Sequence, residues 1–146
     1  MEWIAALRGS TVALDTGPLI YFIEEHPTYI AKVRPFFEAV EREEFQVVTS
    51  FITLVEVLVH PIRAGRMELA NEYRHVLLHS PQLTTIPVDE TIAEKAAELR
   101  ARHNIRTPDA IQLATALAAG ASWFLTNDAE LGRIAGVATL VLKDLL

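Results

Sequence analysis

The sequence contains no cysteine among its 146 residues. This absence excludes disulfide bonds, thiolate nucleophiles, and zinc or iron–sulfur sites with cysteine ligands. The sequence also lacks any run of about 18 apolar residues, the length that a membrane-spanning helix requires. The N-terminal segment has Glu2 and only a short apolar stretch, which is unlike a secretory signal. We therefore expect a cytoplasmic protein with no membrane segment.

Basic residues are too few for a broad surface that binds nucleic acid. Lys and Arg number 13 against 19 Asp and Glu, which gives a net charge of −6 at pH 7. Proteins that coat DNA or RNA contact many phosphates through Lys and Arg. The balance argues against a simple coating module. It is compatible with a small acidic site that binds a cation and acts on phosphates.

The chain has the size and composition of one domain. Hydrophobic residues make up 51% of it, and the mean hydropathy is +0.23, so a disordered chain is excluded. No internal repeat, low-complexity tract or Gly/Ser linker divides the sequence. We expect a single domain over residues 1–146 with a sizeable core.

Short apolar segments alternate with segments of helical periodicity along the whole chain. The predicted strands are Thr11 to Leu14, Phe45 to Val48, Leu83 to Ile86, Trp123 to Leu125, and Val137 to Leu142. The predicted helices are Leu19 to Glu25, Thr28 (as the cap) to about Val40, Phe51 to about His60, Met67 to His79, Asp89 to His103, Thr107 to Ala118, and Ala129 to Ile134. Such alternation predicts an α/β fold, with a central parallel sheet of four to five strands and about seven helices on both faces. Four aromatic residues are interpreted as core, with a groove for a partner as the alternative: Tyr21, Phe22, Phe36 and Phe37.

Three aspartates lie where functional sites form in open α/β sheets, beyond the carboxyl ends of the strands. Asp15 ends the first predicted strand, Asp128 follows the fourth, and Asp109 lies in the first turn of a predicted helix. Each could instead cap a helix, because an Asp there binds free backbone amides and favours the helix dipole. Asn127 and Glu130 likewise resemble a capping box.

Glu56 lies in a predicted helix whose other residues are almost all apolar. We expect this side chain to be at least half buried, and a buried carboxylate requires a partner or a cation. A salt bridge to Arg63 or Arg106 is one explanation. We favour the other, a cluster with the three aspartates in which a divalent cation offsets the repulsion. Hard oxygen ligands of this kind favour Mg²⁺ or Mn²⁺.

Four motifs, in order and spacing, resemble the PIN-domain family over essentially the whole chain. They are Val12 to Thr16, Ser50 with Leu54 to Glu56, Arg106 to Ala116, and Phe124 to Asp128. The first is common by itself. The stretch Pro-Asp-Ala-Ile-Gln-Leu-Ala-Thr-Ala, followed further along by Thr-Asn-Asp-Ala-Glu-Leu, is more specific. Within the family, the resemblance is closest to VapC-type ribonuclease toxins.

The resemblance implies a PIN-like fold and a Mg²⁺- or Mn²⁺-dependent endoribonuclease that hydrolyses RNA phosphodiester bonds. The acids that match the family's catalytic and metal-binding positions are Asp15, Glu56, Asp109 and Asp128. Three further positions would support them. Thr16 matches a polar position beside the first acid, Thr126 would position a ligand or water, and Asn127 would orient a water.

The resemblance also implies the toxin of a type II toxin–antitoxin pair, with a cognate antitoxin as partner and a homodimer as the assembly. Arg106 is the predicted contact to RNA, because guanidinium groups bind phosphate well. A solvated helix surface is the alternative for this residue. Three other functions stay open: a standalone PIN nuclease without an antitoxin, a receiver-like or phosphoryl-transfer α/β domain, and a non-catalytic PIN-like interaction module.

Overall fold

A five-stranded parallel sheet lies at the centre of the protein, in a computed structural model that describes residues 1–134 and 136–145. Its strands are β1 (Thr11–Leu14), β2 (Gln46–Ser50), β3 (Leu83–Ile86), β4 (Trp123–Thr126) and β5 (Ala138–Val141). Their order is β3-β2-β1-β4-β5, and all neighbours are parallel. The chain places β2 and β3 on one side of β1, then places β4 and β5 on the other. This reversal opens a crevice at the carboxyl ends of β1 and β4.

Helices cover both faces of the sheet. They are α1 (Glu2–Ala5), α2 (Thr16–Ile23), α3 (Ile30–Glu41), α4 (Phe51–Arg63), α5 (Met67–His79), α6 (Glu90–His103) and α7 (Thr107–Ala118). Successive strand residues point to opposite faces. Val12 and Leu14 pack with α1 to α5, whereas Ala13 packs with α6 and α7. The predicted α/β architecture is confirmed. No helix in the described ranges is long and apolar enough to cross a membrane.

Several predicted boundaries are correct, and the errors have local causes. Helices α5 and α7 and strand β3 have the predicted bounds. Helix α2 begins at Thr16 rather than Leu19, because the Asp15 carboxylate accepts a hydrogen bond from the Thr16 amide and caps the helix. Helix α4 continues through Pro61 to Arg63, beyond its predicted end at about His60, so the proline does not end the helix.

Two other predictions differ from the structure, and one helix has no predicted counterpart. Thr28 does not cap α3, which begins at Ile30 with Tyr29 as its N-cap residue. The predicted helix after β4 is only a 3₁₀ turn, Leu131–Arg133. Helix α1 was not predicted, since four residues are too few to show a periodicity.

Candidate active site

An acidic cleft of about 270 Å³ lies at the carboxyl ends of β1 and β4. It is lined by Asp15, Thr16, Gly17, Tyr21, Glu56, Arg106, Asp109, Asn127 and Asp128. All four acids singled out in the sequence therefore lie around one cavity. They come from four different segments: the end of β1, helix α4, the first turn of α7, and the loop after β4.

Asp15 is held by hydrogen bonds to both carboxylate oxygens. Oδ1 accepts from the Thr16 amide at 2.8 Å, and Oδ2 accepts from the Thr126 hydroxyl at 2.7 Å. Burial raises the pKa of this carboxyl, and the nearby charges of Asp109 and Glu56 raise it further, while the two hydrogen bonds lower it. Asp15 thus caps α2 and also lines the acidic cleft, so capping and a place in the cleft do not exclude each other for this residue.

Glu56 is partly buried and is bound by a hydroxyl group rather than by an arginine. Thr16 Oγ1 donates to Glu56 Oε1 at 2.7 Å. Among the ion pairs of the described residues, none involves Glu56, so the expected alternative of a salt bridge to Arg63 or Arg106 is wrong. Thr16 therefore contacts two of the acids, the first through its amide and the second through its hydroxyl.

Asp109 faces the cleft and pairs with Arg106 at the rim. Arg106 Nε lies 3.3 Å from Asp109 Oδ2, and the side chains are 76% and 14% exposed respectively. The charge of Asp109, its hydrogen bond, and the more distant Glu56 and Asp128 raise the pKa of the Arg106 guanidinium. An exposed ion pair of this kind contributes little to stability. Arg106 is therefore a charged group that can move away from Asp109 to bind another anion.

Thr126 links the first and last acids of the cleft. Its hydroxyl donates to Asp15, and its oxygen accepts a hydrogen bond from the Asp128 amide at 3.0 Å. Asp128 is exposed, and its Oδ1 accepts from the Glu130 amide at 3.0 Å. The Glu130 amide thus donates to Asp128 and not to Asn127, so the predicted Asn127–Glu130 capping box is wrong.

Asn127 has structural partners on both sides of its amide. Nδ2 donates to the Tyr21 hydroxyl at 3.3 Å, and Oδ1 accepts from the Lys143 amide at 2.9 Å. These contacts join α2, the loop after β4 and the C-terminal segment at the wall of the cleft. The expected role in orienting a water stays a prediction.

The carboxylate oxygens of the cleft are chemically suited to bind a hard divalent cation, although they do not converge on one point. Within residues 1–134 and 136–145, no group of three Asp, Glu or His side chains is close enough to hold a metal ion. The acid oxygens accept hydrogen bonds from the protein instead, as in Asp15 and Glu56. Carboxylate oxygens are nevertheless the ligands that Mg²⁺ and Mn²⁺ prefer. Burial is the main cause of the raised pKa of Asp15, and the negative charges of Asp109 and Glu56, which a cation would offset, contribute less.

Four residues around the cleft were missed or misinterpreted in the sequence. Tyr21, interpreted as core, lines the cavity through its hydroxyl. Gln112, Thr49 and Thr53 form a buried polar network beneath the acids. A glutamine inside the apolar helix α7 was the available signal, because a buried amide needs hydrogen-bond partners.

A family model described as PIN domain matches residues 12–137. The chain belongs to the PIN domain family. This confirms the family predicted from the four motifs. The strand order β3-β2-β1-β4-β5 also argues against the receiver-like alternative, because receiver domains have the order 2-1-3-4-5. No curated protein sequence matches the chain.

Several solved structures of toxins share this PIN fold. A toxin–antitoxin complex from Klebsiella pneumoniae is 25% identical, with a TM-score of 0.64, covering 88% of this chain and 95% of the other. VapBC2 from Rickettsia felis, bound to a DNA fragment from its promoter, is 17% identical, with a TM-score of 0.67 and coverage of 89% and 97%. VapC20 from Mycobacterium tuberculosis, a toxin that cleaves the sarcin–ricin loop, is 17% identical, with a TM-score of 0.66 and coverage of 77% and 86%. At the two lower identities, the similarity shows the fold alone.

The raised pKa of Asp15 predicts how stability depends on pH. The folded protein binds a proton at Asp15 more tightly than the unfolded chain, whose ordinary value is 3.8. The free energy of unfolding therefore decreases as pH rises through the raised pKa, and this loss is absent below 3.8. Asp15→Asn removes the titration but keeps an oxygen that can accept from the Thr16 amide. We compare the free energy of unfolding of the metal-free variant with that of metal-free wild type. The difference should favour the variant more at neutral pH than at a pH below 3.8.

Urea denaturation in EDTA at the two pH values measures this effect. Asp89→Asn is the matched control, because Asp89 is exposed, lies outside the cleft and caps α6, a role that Asn fulfils equally well. A stability difference between Asp15→Asn and wild type that is the same at both pH values would contradict the prediction.

Proposed function

We propose that this chain is a Mg²⁺- or Mn²⁺-dependent endoribonuclease. The observation that carries this proposal is the cleft itself: Asp15, Glu56, Asp109 and Asp128 line one cavity at the switch point of a PIN-domain sheet. These carboxylates would bind the cation directly or through water, since Mg²⁺ usually keeps several of its waters. When bound, it would supply charge neutralisation at the scissile phosphate and a lower pKa for the attacking water.

The remaining side chains of the cleft orient the acids and meet the substrate. Thr126 fixes Asp15 against the loop that carries Asp128, and Thr16 holds Glu56. Both contacts are hydrogen bonds from neutral groups, so they orient the carboxylates and leave their negative charge intact. Arg106 at the rim would bind a phosphate of the substrate in place of its exposed contact with Asp109.

A second cavity supports a nucleic-acid substrate. It measures about 420 Å³ and shares Arg106, Asp109 and Asp128 with the acidic cleft. Its wall adds two exposed residues, His103 and Arg133, that can donate hydrogen bonds to phosphate oxygens. A chain of phosphates that runs from this cavity into the cleft would have the guanidinium groups of Arg106 and Arg133 beside the acids that line the cavity. With a net charge of −6, this narrow path suits the chain better than a broad basic surface.

The nuclease proposal predicts the effect of neutralising one acid. Asp109→Asn keeps the shape of the side chain but removes a carboxylate from the cleft. We expect Mn²⁺-dependent cleavage of a fluorescently labelled RNA to decrease by about 100-fold or more. Loss of a residue that only supports a metal ligand lowers activity by up to about 100-fold, and loss of a ligand itself should lower it at least as much. Cleavage by wild type should stop in EDTA and return when Mn²⁺ is added.

Asp89→Asn is again the control, because it makes the same chemical change at an exposed residue outside the cleft. Its cleavage rate should equal that of wild type. Full activity of Asp109→Asn, or cleavage by wild type that survives EDTA, would contradict the proposal.

The biological role that we propose is that of a cytoplasmic toxin with a cognate antitoxin. Similar folds occur in the toxin–antitoxin complex from Klebsiella pneumoniae and in VapBC2 from Rickettsia felis. We expect expression of the wild-type chain to arrest bacterial growth and Asp109→Asn to be harmless. A small DNA-binding protein encoded beside the gene should restore growth when it is co-expressed. Growth that is unaffected by the wild-type chain would favour the standalone nuclease instead.

We further propose that the chain forms a homodimer through α4. Val55, Val59 and Ile62 are 58%, 45% and 52% exposed, and their spacing places them on one face of the helix. Contiguous exposed apolar side chains are typical of protein contacts. In a two-fold dimer the same patch lies on both sides of the interface, so this apolar stripe would pack against its own copy.

Sedimentation velocity measures the assembly directly. Wild type should sediment as a dimer, and the double variant Val55→Glu/Ile62→Glu should sediment as a monomer, because two buried carboxylates would face an apolar surface. Leu78→Glu changes an apolar residue of α5 that is 44% exposed, and should stay dimeric. Monomeric wild type would contradict the proposed assembly.

A further inference from the structure

One buried amide lies at the centre of the polar network beneath the acidic cleft. Gln112 Nε2 donates to Thr53 Oγ1 at 2.6 Å and lies 3.2 Å from Thr16 Oγ1. Gln112 is 2% exposed, Thr53 is fully buried, and Thr16 is 8% exposed. Since polar groups are costly to bury unless they are paired, this network is a specific feature of the interior.

The directions of the hydrogen bonds on the branch from Gln112 through Thr53 to Thr49 follow from the contact that Thr49 makes. The Thr49 hydroxyl donates to the backbone oxygen of Leu14 at 2.8 Å. Its proton is then used, so in the 2.9 Å contact between Thr49 and Thr53 the Thr49 oxygen is the acceptor; this contact is shorter than the 3.2 Å between the hydroxyl oxygens of Thr53 and Thr16, and we assign the proton of Thr53 to it. Because the proton of Thr53 is used in this bond, its oxygen is free to accept from Gln112. The amide nitrogen of a glutamine can only donate, which agrees with this direction.

The other side of the network leads to an acid. The second hydrogen of Gln112 Nε2 meets the oxygen of Thr16. Thr16 therefore uses its own proton for Glu56, whose Oε1 lies 2.7 Å away and can only accept when ionised. Every proton in the network thus points away from the Gln112 amide and, on this branch, towards the carboxylate.

The same amide connects three of the segments that carry the acids. Gln112 lies three residues after the acid of α7, Thr53 lies three residues before the acid of α4, and Thr16 directly follows the acid at the end of β1. Like charges in these segments repel one another. Two hydrogen bonds from one nitrogen join α7, α4 and the start of α2, whose acids would otherwise repel one another apart.

We propose that Gln112 is a positioning residue of the acidic cleft. Its amide fixes the spacing of three acid-bearing segments and directs the Thr16 hydroxyl to Glu56. Gln112 is buried and does not line the cavity, so it acts through Thr16 and not by contact with RNA. This inference rests on the proposed function, because it assigns to Gln112 a role in preparing the cation site.

A purely structural role for Gln112 can be separated from a positioning role by a matched control on the same helix. Thr115 lies three residues later on α7 and is 1% exposed, and its hydroxyl donates to the backbone oxygen of Ile111. Thr115→Val therefore removes a buried polar group from α7 but breaks no link to an acid. Gln112→Met keeps the length of the side chain and removes both donor bonds.

The experiment is calorimetric titration of Mn²⁺ into the metal-free protein, a measurement that does not depend on catalysis. Gln112→Met should weaken Mn²⁺ binding by about tenfold, as is typical when a group that supports a metal ligand is lost. Thr16→Val should weaken it by a similar factor, about tenfold. In a Thr16→Val background, Gln112→Met should weaken Mn²⁺ binding by at most about a further threefold, because the hydroxyl through which the amide acts is already absent. Thr115→Val should bind like wild type.

RNA cleavage gives a second measurement on the same variants. Gln112→Met should reduce kcat by about tenfold and leave KM unchanged, because the buried amide does not touch the substrate. A structural defect that lowers the amount of folded enzyme would affect Thr115→Val as well.

Several outcomes would overturn this inference. They are wild-type Mn²⁺ affinity in Gln112→Met, an equal loss in Thr115→Val, and full additivity of Gln112→Met with Thr16→Val. If Gln112→Met does not fold, Thr16→Val decides alone, and wild-type affinity in that variant overturns the inference. Wild-type protein that binds Mn²⁺ no better than Asp109→Asn would overturn the proposed function and this inference together. If wild type binds Mn²⁺ and Gln112→Met binds it with the same affinity, only the inference is overturned.

Discussion

The repulsion among four carboxylates in one partly buried cleft is the constraint on which the rest of the site depends. Burial raises the pKa of Asp15 most, and the charges of Asp109 and Glu56 raise it further. The protein holds these charges in place mainly with neutral donors, the Thr16 amide and the hydroxyls of Thr16 and Thr126. Such donors orient a carboxylate without cancelling its charge. The negative charge therefore stays available to a cation and to the exposed Arg106.

The sheet topology places Asp15 beside Thr126, two residues before the last acid of the cleft. Leu14 pairs with Leu125 in the parallel register of β1 and β4, so the residues that follow them, Asp15 and Thr126, lie next to each other. The hydrogen bond between these two side chains is a direct consequence of that register. β1 and β4 flank the point where the strand order reverses, and in open α/β sheets a crevice forms at the carboxyl ends of such strands. The site is thus a product of strand order as much as of side-chain chemistry.

The sequence was informative where the relevant signal was local. Asp15, Asp109 and Asp128 could be placed because each follows a strand or begins a helix, and these positions meet at one edge of a parallel sheet. The burial of Glu56 followed from its apolar neighbours. Its partner could not be predicted, because Thr16 lies in a distant segment and becomes adjacent only when α2 packs against α4. For the same reason, the sequence showed no partner for Gln112, which joins segments that are far apart along the chain.

Manganese anomalous diffraction from crystals soaked in Mn²⁺ tests the central claim most directly. The claim is that the four acids of one cleft form the divalent-cation site of this PIN domain. We predict an anomalous peak within the cleft, in contact with carboxylate oxygens of Asp15 and at least one of Glu56, Asp109 and Asp128. Crystals of Asp109→Asn soaked in the same way should show a weaker peak or none. A wild-type peak that lies elsewhere on the protein, or a cleft that stays without one, would contradict the account.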